Sequence, residues 1–386
     1  MRRKKIQKDN NKLEMNFLTD HDNLIKFLQW LNVTTATWPL ESDANILKKI
    51  FYGVLWCSYA LNGITSILAL LMGIYHYRQD IVNMMKSIVE FVYICESLFN
   101  LCYCTLQKSN FKILIDDMKQ FSFKATSQEL TLRRNNLKNT SIFLVFMFTV
   151  FVSGGSIFVF APSVLHNRDI PLNTIYPFLM EKSWAIYLIY VLNTYTVMQA
   201  FCAISVDIMV IAMLSYASFK FIILGIKLQN ITSNDELKNF VMEHQDTIRY
   251  VTIIEHTVTP IVVKSIIAAC TYLITCSLLL LNNIPFLHIT QFAAVTILSF
   301  TRLLVCSCVA QAVTDIASNL TSLITVSSWL ESSTMRKNIL FIIQRCQKPI
   351  TISVSGIVPA LSLKFCGLVI YKTFSYIMTL RAILKV

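Results

Sequence analysis

The sequence predicts an all-α, polytopic membrane protein with seven transmembrane helices. Only 15% of its 386 residues are charged and 55% are hydrophobic, whereas an average soluble domain is roughly one quarter charged. The apolar residues form runs long enough to cross a hydrocarbon core of about 30 Å, which takes about 20 residues per helix. Lysine and arginine cluster at the ends of these runs, as in membrane proteins of defined topology.

Seven spans account for the apolar runs. In chain order they are Phe51–Tyr75, Ile81–Leu106, Thr140–Leu165, Ser183–Phe219, Ser265–Leu281, His288–Val313 and Leu361–Leu384. The uncharged stretch 265–301 is too long for one span, and Asn282-Asn283-Ile284-Pro285 predicts a turn within it. Residues 1–50 form an arm before the first span, and 220–264 are expected to be a soluble helical insertion. The last region, 314–386, joins a charged stretch to the seventh span.

The distribution of basic residues predicts the orientation. The arm before the first span carries nine Lys and Arg residues, and the segments after spans two, four and six are also basic. The positive-inside rule therefore places the N-terminus in the cytoplasm and the C-terminus outside. The formal charge of +12 follows from this topology, so no nucleic-acid partner is expected.

Other classes of function fit the sequence less well. No HExxH, GxSxG or P-loop pattern occurs, so the chain is not expected to be an enzyme. No cofactor or metal site is predicted, because the CxC pairs lie in apolar helices, where cysteine acts as a small hydrophobe. A G-protein-coupled receptor is the main alternative, but it would need the opposite orientation.

The C-terminal region resembles the signature of insect odorant receptors, of the divergent, odour-tuned kind common in Hymenoptera. The residues that carry the resemblance are Trp329, Gln347-Lys348-Pro349, Ser362-Leu363, Lys372-Thr373, Ser375-Tyr376 and Leu380-Arg381. Asp207 and His244 also lie where this family tends to have an aspartate and a histidine. Gustatory receptors, a related alternative, end in a Thr-Tyr pair followed by Gln-Phe.

The resemblance implies a seven-helix subunit of a ligand-gated, nonselective cation channel. Such a subunit binds volatile odorants and forms a hetero-tetramer with a shared co-receptor subunit in the plasma membrane of an olfactory neuron dendrite. The inverted topology that it requires agrees with the one derived from the basic residues.

The seventh span carries the predicted pore. Tyr376, Thr379 and Ile383 fall on one helix face, and by resemblance the gate lies at Thr379 and Ile383. A ring of isoleucines can close a pore by dewetting. The alternative is ordinary helix packing, in which small polar residues also take part.

An odorant pocket is expected in the outer halves of spans two, three, four and six. The candidate lining residues are Phe91, Cys95, Phe151, Gly154, Phe158, Tyr187, Val191 and Phe292. A volatile ligand needs an apolar, aromatic cavity, and Phe151, Gly154 and Phe158 share a helix face. Each aromatic could instead pack within the bundle.

Two further sets of residues have predicted roles. His244, Trp329, Lys348 and Ser375 are candidates for subunit contacts. Arg302, inside the sixth span, is expected to pair with Asp207 or Asp315, because charges within a membrane face the bundle interior and find partners.

Overall fold

In the computed structural model, most of the described part of the chain is helical. That part comprises residues 18–41, 44–165, 170–176, 183–281, 286–326, 342–346, 350–353 and 360–384. The main helices are α1 (His21–Thr34), α2 (Ile46–His76), α3 (Ile81–Leu106), α4 (Lys108–Lys124), α5 (Ser127–Leu165), α6 (Ser183–Gln199), α7 (Phe201–Gln229), α8 (Asn234–Leu281), α9 (Phe286–Val326) and α10 (Leu363–Leu384). These ranges contain no strand, and the predicted all-α class is confirmed.

Six helical stretches of the described chain are long and apolar enough to cross a membrane: α2, α3, α5, α6 with α7, α8, and α9. The seventh membrane helix, α10, has 22 residues, so it is about 33 Å long and can also span a bilayer. It carries the basic residues Lys364 and Lys372. Six of the predicted spans are therefore confirmed in their order, and α10 is long enough to be the seventh.

The fourth predicted span is interrupted. Ser183–Phe219 was expected to be one helix, but α6 ends at Gln199 and α7 begins at Phe201. The backbone carbonyl of Gln199 accepts a hydrogen bond from Ser97 Oγ at 2.7 Å, and the Gln199 side chain donates to the carbonyl of Tyr59 at 2.7 Å. Because these groups are satisfied from neighbouring helices, the interruption needs neither proline nor glycine.

The predicted soluble insertion at 220–264 is not a separate unit. Instead, α7 and α8 continue beyond their apolar parts, and α8, at 48 residues, is about 72 Å long. Helix α8 starts at a capping box: Glu236 N donates to Ser233 Oγ at 3.2 Å, and Ser233 N donates to Glu236 Oε2 at 3.2 Å. Thr126 and Glu129 form the equivalent pair before α5.

Helix α7 is the centre of the bundle. Every residue from Cys202 to Phe219 is buried, and the helix packs against α9, α8, α5, α3 and α1. A helix that is apolar on all sides and buried on all sides belongs to the core of a large bundle. In contrast, α2 leaves apolar side chains such as Phe51, Val54 and Leu61 exposed, as expected for a helix that faces lipid.

Helix α1 docks on this bundle through a buried histidine. His21 Nε2 donates to the carbonyl of Met118 at 2.9 Å, and its Nδ1 accepts from Arg133 Nε at 3.4 Å. This pattern requires a neutral imidazole with its proton on Nε2. Burial, with a smaller contribution from the nearby Arg133 charge, lowers the pKa of His21 to about 4.

Candidate ligand cavity and buried charge cluster

A cavity lies between α3, α5, α9 and the end of α6, and we call it the transmembrane cavity. Its volume is about 80 Å³, whereas a single water needs roughly 10–15 Å³ on the same measure. Tyr93, Phe151 and Leu298 contribute to its walls, and Glu90 is the charged residue among the described lining residues. The walls are almost wholly apolar, as in sites for small organic ligands.

Gly154 and Gly155 keep the α5 side of the cavity open. A Cβ atom added at Gly154 would meet nothing within 4 Å, and one at Gly155 would lie 3.7 Å from Val197. Phe151, one turn before Gly154, is only 6% exposed and packs edge to face on Phe201, with their ring centroids 4.5 Å apart. A rigid aromatic group therefore stands beside an open patch of helix backbone.

The one charged wall residue has a structural partner. Glu90 is 5% exposed, and its Oε2 accepts a hydrogen bond from the backbone N–H of Asn173 at 2.7 Å. This bond ties the loop segment 170–176 to α3. Leu172 of the same segment lines the cavity, so the loop closes one side of it.

Next to the cavity, four ionisable side chains from α3, α7, α8 and α9 form a charge cluster: Glu96, Asp207, Lys264 and Arg302. Arg302 donates to Asp207 Oδ2 at 2.8 Å and to Glu96 Oε1 at 3.1 Å. Lys264 Nζ lies 3.4 Å from Glu96 Oε1 and 3.9 Å from Asp207 Oδ1. No side chain of the four is more than 9% exposed. Two carboxylates and two cations leave the cluster formally neutral.

The expected pairing of Arg302 with Asp207 is confirmed, and Asp315, the alternative partner, is exposed further along α9. The two other members, Glu96 and Lys264, come from different helices. Because an isolated charge in an apolar interior costs several kcal/mol, the four residues constrain the relative positions of the four helices that carry them.

Tyrosines connect the cavity to the charge cluster. Tyr272 donates its hydroxyl proton to Glu96 Oε2 at 2.9 Å, and its ring lies 6.4 Å from the ring of Tyr93, measured between centroids. Tyr93 itself lines the cavity. Tyr93 therefore lies between the cavity and the tyrosine that donates a hydrogen bond to Glu96.

The helices that carry the cluster also hold α10. Cys366 and Val369 of α10 are buried in a small apolar group with Leu303, the residue after Arg302. Further along, Thr373 Oγ1 lies 3.4 Å from Cys270 Sγ of α8. Helix α10 therefore contacts α8 and α9, the helices that carry Lys264 and Arg302.

Within one chain, α10 is packed along a narrow stripe only. The buried residues of its described side chains are Cys366, Val369, Thr373 and Ile377, which follow helical spacing along one face. Of the predicted pore residues, Tyr376 is 66% exposed and Thr379 is also exposed, away from this stripe. The side chain of Ile383 lies outside the described residues.

The predicted pocket residues separate into three groups. Phe151 and Gly154 line the transmembrane cavity. Phe91 and Cys95 are half-buried on α3 but are not among its lining residues, and Tyr187 and Val191 are exposed on α6, at 77% and 63%. The side chains of Phe158 and Phe292 lie outside the described part of the chain.

Sequence reasoning missed several lining residues, among them Glu90, Tyr93 and Leu172. Glu90 and Tyr93 are three residues apart, so they share a helix face. This spacing can be read from the sequence. However, helical periodicity alone does not show which face of an apolar helix lines a cavity. Tyr187 and Val191 are not at the cavity because they lie on the exposed side of α6, whereas Val197 of the same helix lines it.

Among the predicted subunit-contact residues, His244 is buried within its own chain. It is 4% exposed, and its ring stacks on Phe240 with centroids 5.9 Å apart. Ser375 is exposed on α10. Trp329 and Lys348 lie outside the described residues, and contact of all four with a partner subunit stays a prediction.

A bundle of membrane-length helices that encloses an apolar cavity is the architecture of a multi-pass membrane protein with room for a small ligand. The sequence profile of the 7tm odorant receptor family matches residues 80–365. Since this match covers most of the chain, the protein belongs to that family.

Solved structures show the same fold. The insect olfactory receptor OR5 from Machilis hrabei superposes with a TM-score of 0.80 at 16% identity, covering 94% of this chain and 99% of that one. The same receptor in complex with eugenol also gives a TM-score of 0.80 at 16% identity, covering 94% of this chain and 100% of that one. A comparison with curated proteins finds no match.

Proposed function

We propose that this chain is an odour-tuned subunit of a ligand-gated, nonselective cation channel. The observation that carries the proposal is the packing of α10. One stripe holds it to α8 and α9, while Tyr371, Phe374 and Tyr376 are each more than half exposed. An incompletely packed helix with polar residues suits a position between subunits and beside a water-filled pore.

The transmembrane cavity is the proposed odorant site. Its apolar walls, its aromatic residues and its closure by Leu172 suit a small volatile molecule. The OR5 receptor with the same fold has been solved with eugenol, a small aromatic compound. Phe151 and Gly154 are the predicted pocket residues that this geometry favours.

Gating is proposed to run from the cavity through the charge cluster to α10. An odorant that binds more tightly to one arrangement of Tyr93 and Tyr272 shifts the population of the corresponding cluster geometry. Since α8 and α9 carry the two cations of the cluster and also the contacts with α10, that shift moves the proposed gate at Thr379 and Ile383. The neutral cluster can move as a unit without exposing a net charge.

The proposed assembly is a hetero-tetramer with a shared co-receptor in the dendritic plasma membrane, with the N-terminus in the cytoplasm. Recording from cells that express this chain with and without a co-receptor, against an odour panel, tests the channel function. An epitope tag on each terminus of unpermeabilised cells tests the topology. An N-terminal tag exposed at the cell surface would contradict the proposal.

A further inference from the structure

A second and larger cavity lies at the other end of the helices, between α4, α7, α8 and the start of α5. We call it the α4–α8 cavity, and its volume is about 510 Å³. The aromatic rings of Phe121, Tyr216 and Tyr250 form part of its wall. It lies where the helix ends are rich in lysine and arginine, which the proposed topology places in the cytoplasm.

The charges around this cavity are balanced. Four basic and four acidic side chains line it, so its formal charge is zero. Two pairs are already formed: Lys220 with Asp117 at 2.6 Å and Lys227 with Glu243 at 2.7 Å. The paired side chains hold α4, α7 and α8 together around the opening.

The remaining charges include both signs. Glu129 accepts hydrogen bonds from Thr126 and caps its own helix, although its negative charge remains at the cavity. Lys124, Arg249 and Asp246 make no ion pair with any described residue. Two cations and one anion that line the cavity are therefore not held in an ion pair.

Tyr250 provides an independent indication of a ligand. It is only 4% exposed and lines the cavity, yet its hydroxyl has no hydrogen-bond partner among the described groups. A buried hydroxyl without a partner is costly and rare. Its ring is held by Tyr216, 5.5 Å away between centroids, and by Lys220 Nζ, 4.8 Å from the ring centroid.

We propose that the α4–α8 cavity binds a zwitterion that combines a phosphodiester with an ammonium group, as in the headgroup of phosphatidylcholine. The phosphate would accept hydrogen bonds from the Tyr250 hydroxyl and pair with Lys124 and Arg249. The ammonium would pair with Asp246 and lie against the aromatic wall, because cations bind the faces of such rings.

A zwitterion suits this cavity better than an anion. A purely anionic headgroup would leave Asp246 and Glu129 unpaired beside it. These carboxylates would then lose hydration without gaining a cationic partner, which is unfavourable. The rim also offers a surface for an acyl chain, since Ile113 lines the cavity and is 49% exposed, and Phe123, next to Lys124, is 89% exposed. A lipid of the cytoplasmic leaflet is therefore the expected source.

Thermal stability of the purified full-length protein tests the site. Dihexanoyl-phosphatidylcholine should raise the Tm in a saturable way, because a ligand that binds only the folded state stabilises it. Dihexanoyl-phosphatidylglycerol, which lacks the ammonium, should do so more weakly. Glycerophosphocholine distinguishes a soluble ligand from a lipid. A rise in Tm equal to that with dihexanoyl-phosphatidylcholine would indicate a soluble zwitterion, and a smaller rise would indicate a lipid.

Variants make the test specific. Tyr250→Phe should weaken phosphatidylcholine binding about tenfold, since it removes one buried hydrogen bond, while leaving the ligand-free Tm unchanged or higher. Asp246→Asn should remove the preference for choline over glycerol. Lys238→Gln, an exposed change on α8 away from the cavity, is the control. Equal responses of the wild type to both lipids, or of all variants to phosphatidylcholine, would overturn the proposal.

Discussion

Removing Arg302 should destabilise the protein strongly, because it unbalances the charge cluster. In Arg302→Gln, the two carboxylates Glu96 and Asp207 would face Lys264 alone, which leaves one buried negative charge. Those carboxylate side chains are 2% and 8% exposed, so water cannot compensate. Breaking a buried ion pair from one side costs about 3–5 kcal/mol.

This cost sets the expected change in melting temperature. With an unfolding entropy of about 2.1 cal/mol/K per residue, the loss corresponds to a Tm lower by roughly 4–6 °C. The assay is thermal unfolding of the detergent-solubilised protein, followed by fluorescence-detected size exclusion. Arg134→Gln is the matched control, since Arg134 is exposed on α5 and surface substitutions usually change stability by less than about 0.5 kcal/mol.

A second substitution distinguishes charge balance from a simple loss of contacts. Glu96→Gln in the Arg302→Gln background leaves one anion, Asp207, and one cation, Lys264. This neutral pair should regain about 2 kcal/mol relative to the single variant, although one more contact has been removed. The reasoning is refuted if the double variant melts at or below the single variant, or if Arg302→Gln melts like the wild type.

Three further predictions follow from the site and its surroundings. Gly154→Leu should abolish odour responses without lowering surface expression, because the new side chain fills open space in the transmembrane cavity. The control is Gly53→Leu on α2, where an added side chain is equally unobstructed. This variant should respond normally in the same current recordings. The pKa of about 4 for His21 lies below the ordinary value of 6.5, so the unfolded chain binds more protons and stability should fall by roughly 2 kcal/mol from pH 7 to pH 5. A smaller dependence of the Tm on pH in His21→Gln would support this, and an unchanged dependence would contradict it. His256→Gln is the control, because His256 is exposed. Ile383→Ser should raise the basal current or shift ion selectivity in cells with a co-receptor, and unchanged currents at normal surface expression would count against a gate there.

Part of the site could be predicted from single residues. Gly154 and Phe151 were identified because a glycine one turn from an aromatic residue leaves room between helices, a local property of α5. Arg302 was expected to find a partner because a charge cannot remain unpaired in an apolar span. In each case, the competing arrangement has a high free energy, so the inference needs no coordinates.

Other parts depended on contacts between distant segments. The choice of Asp207 over Asp315, and the addition of Glu96 and Lys264, required the packing of four helices. Tyr187 and Val191 were expected at the pocket because an apolar helix gives no periodic signal for which side faces lipid and which faces protein.

The sequence by itself determined the helical class and the order of the apolar spans, since these depend on the length of apolar runs and on their polar boundaries. Only the tertiary structure decided that α6 and α7 are separate, which residues enclose the transmembrane cavity, and that the α4–α8 cavity exists. The physical reason is that the hydrophobicity of a segment depends on its own residues, whereas a cavity depends on how several helices pack against one another.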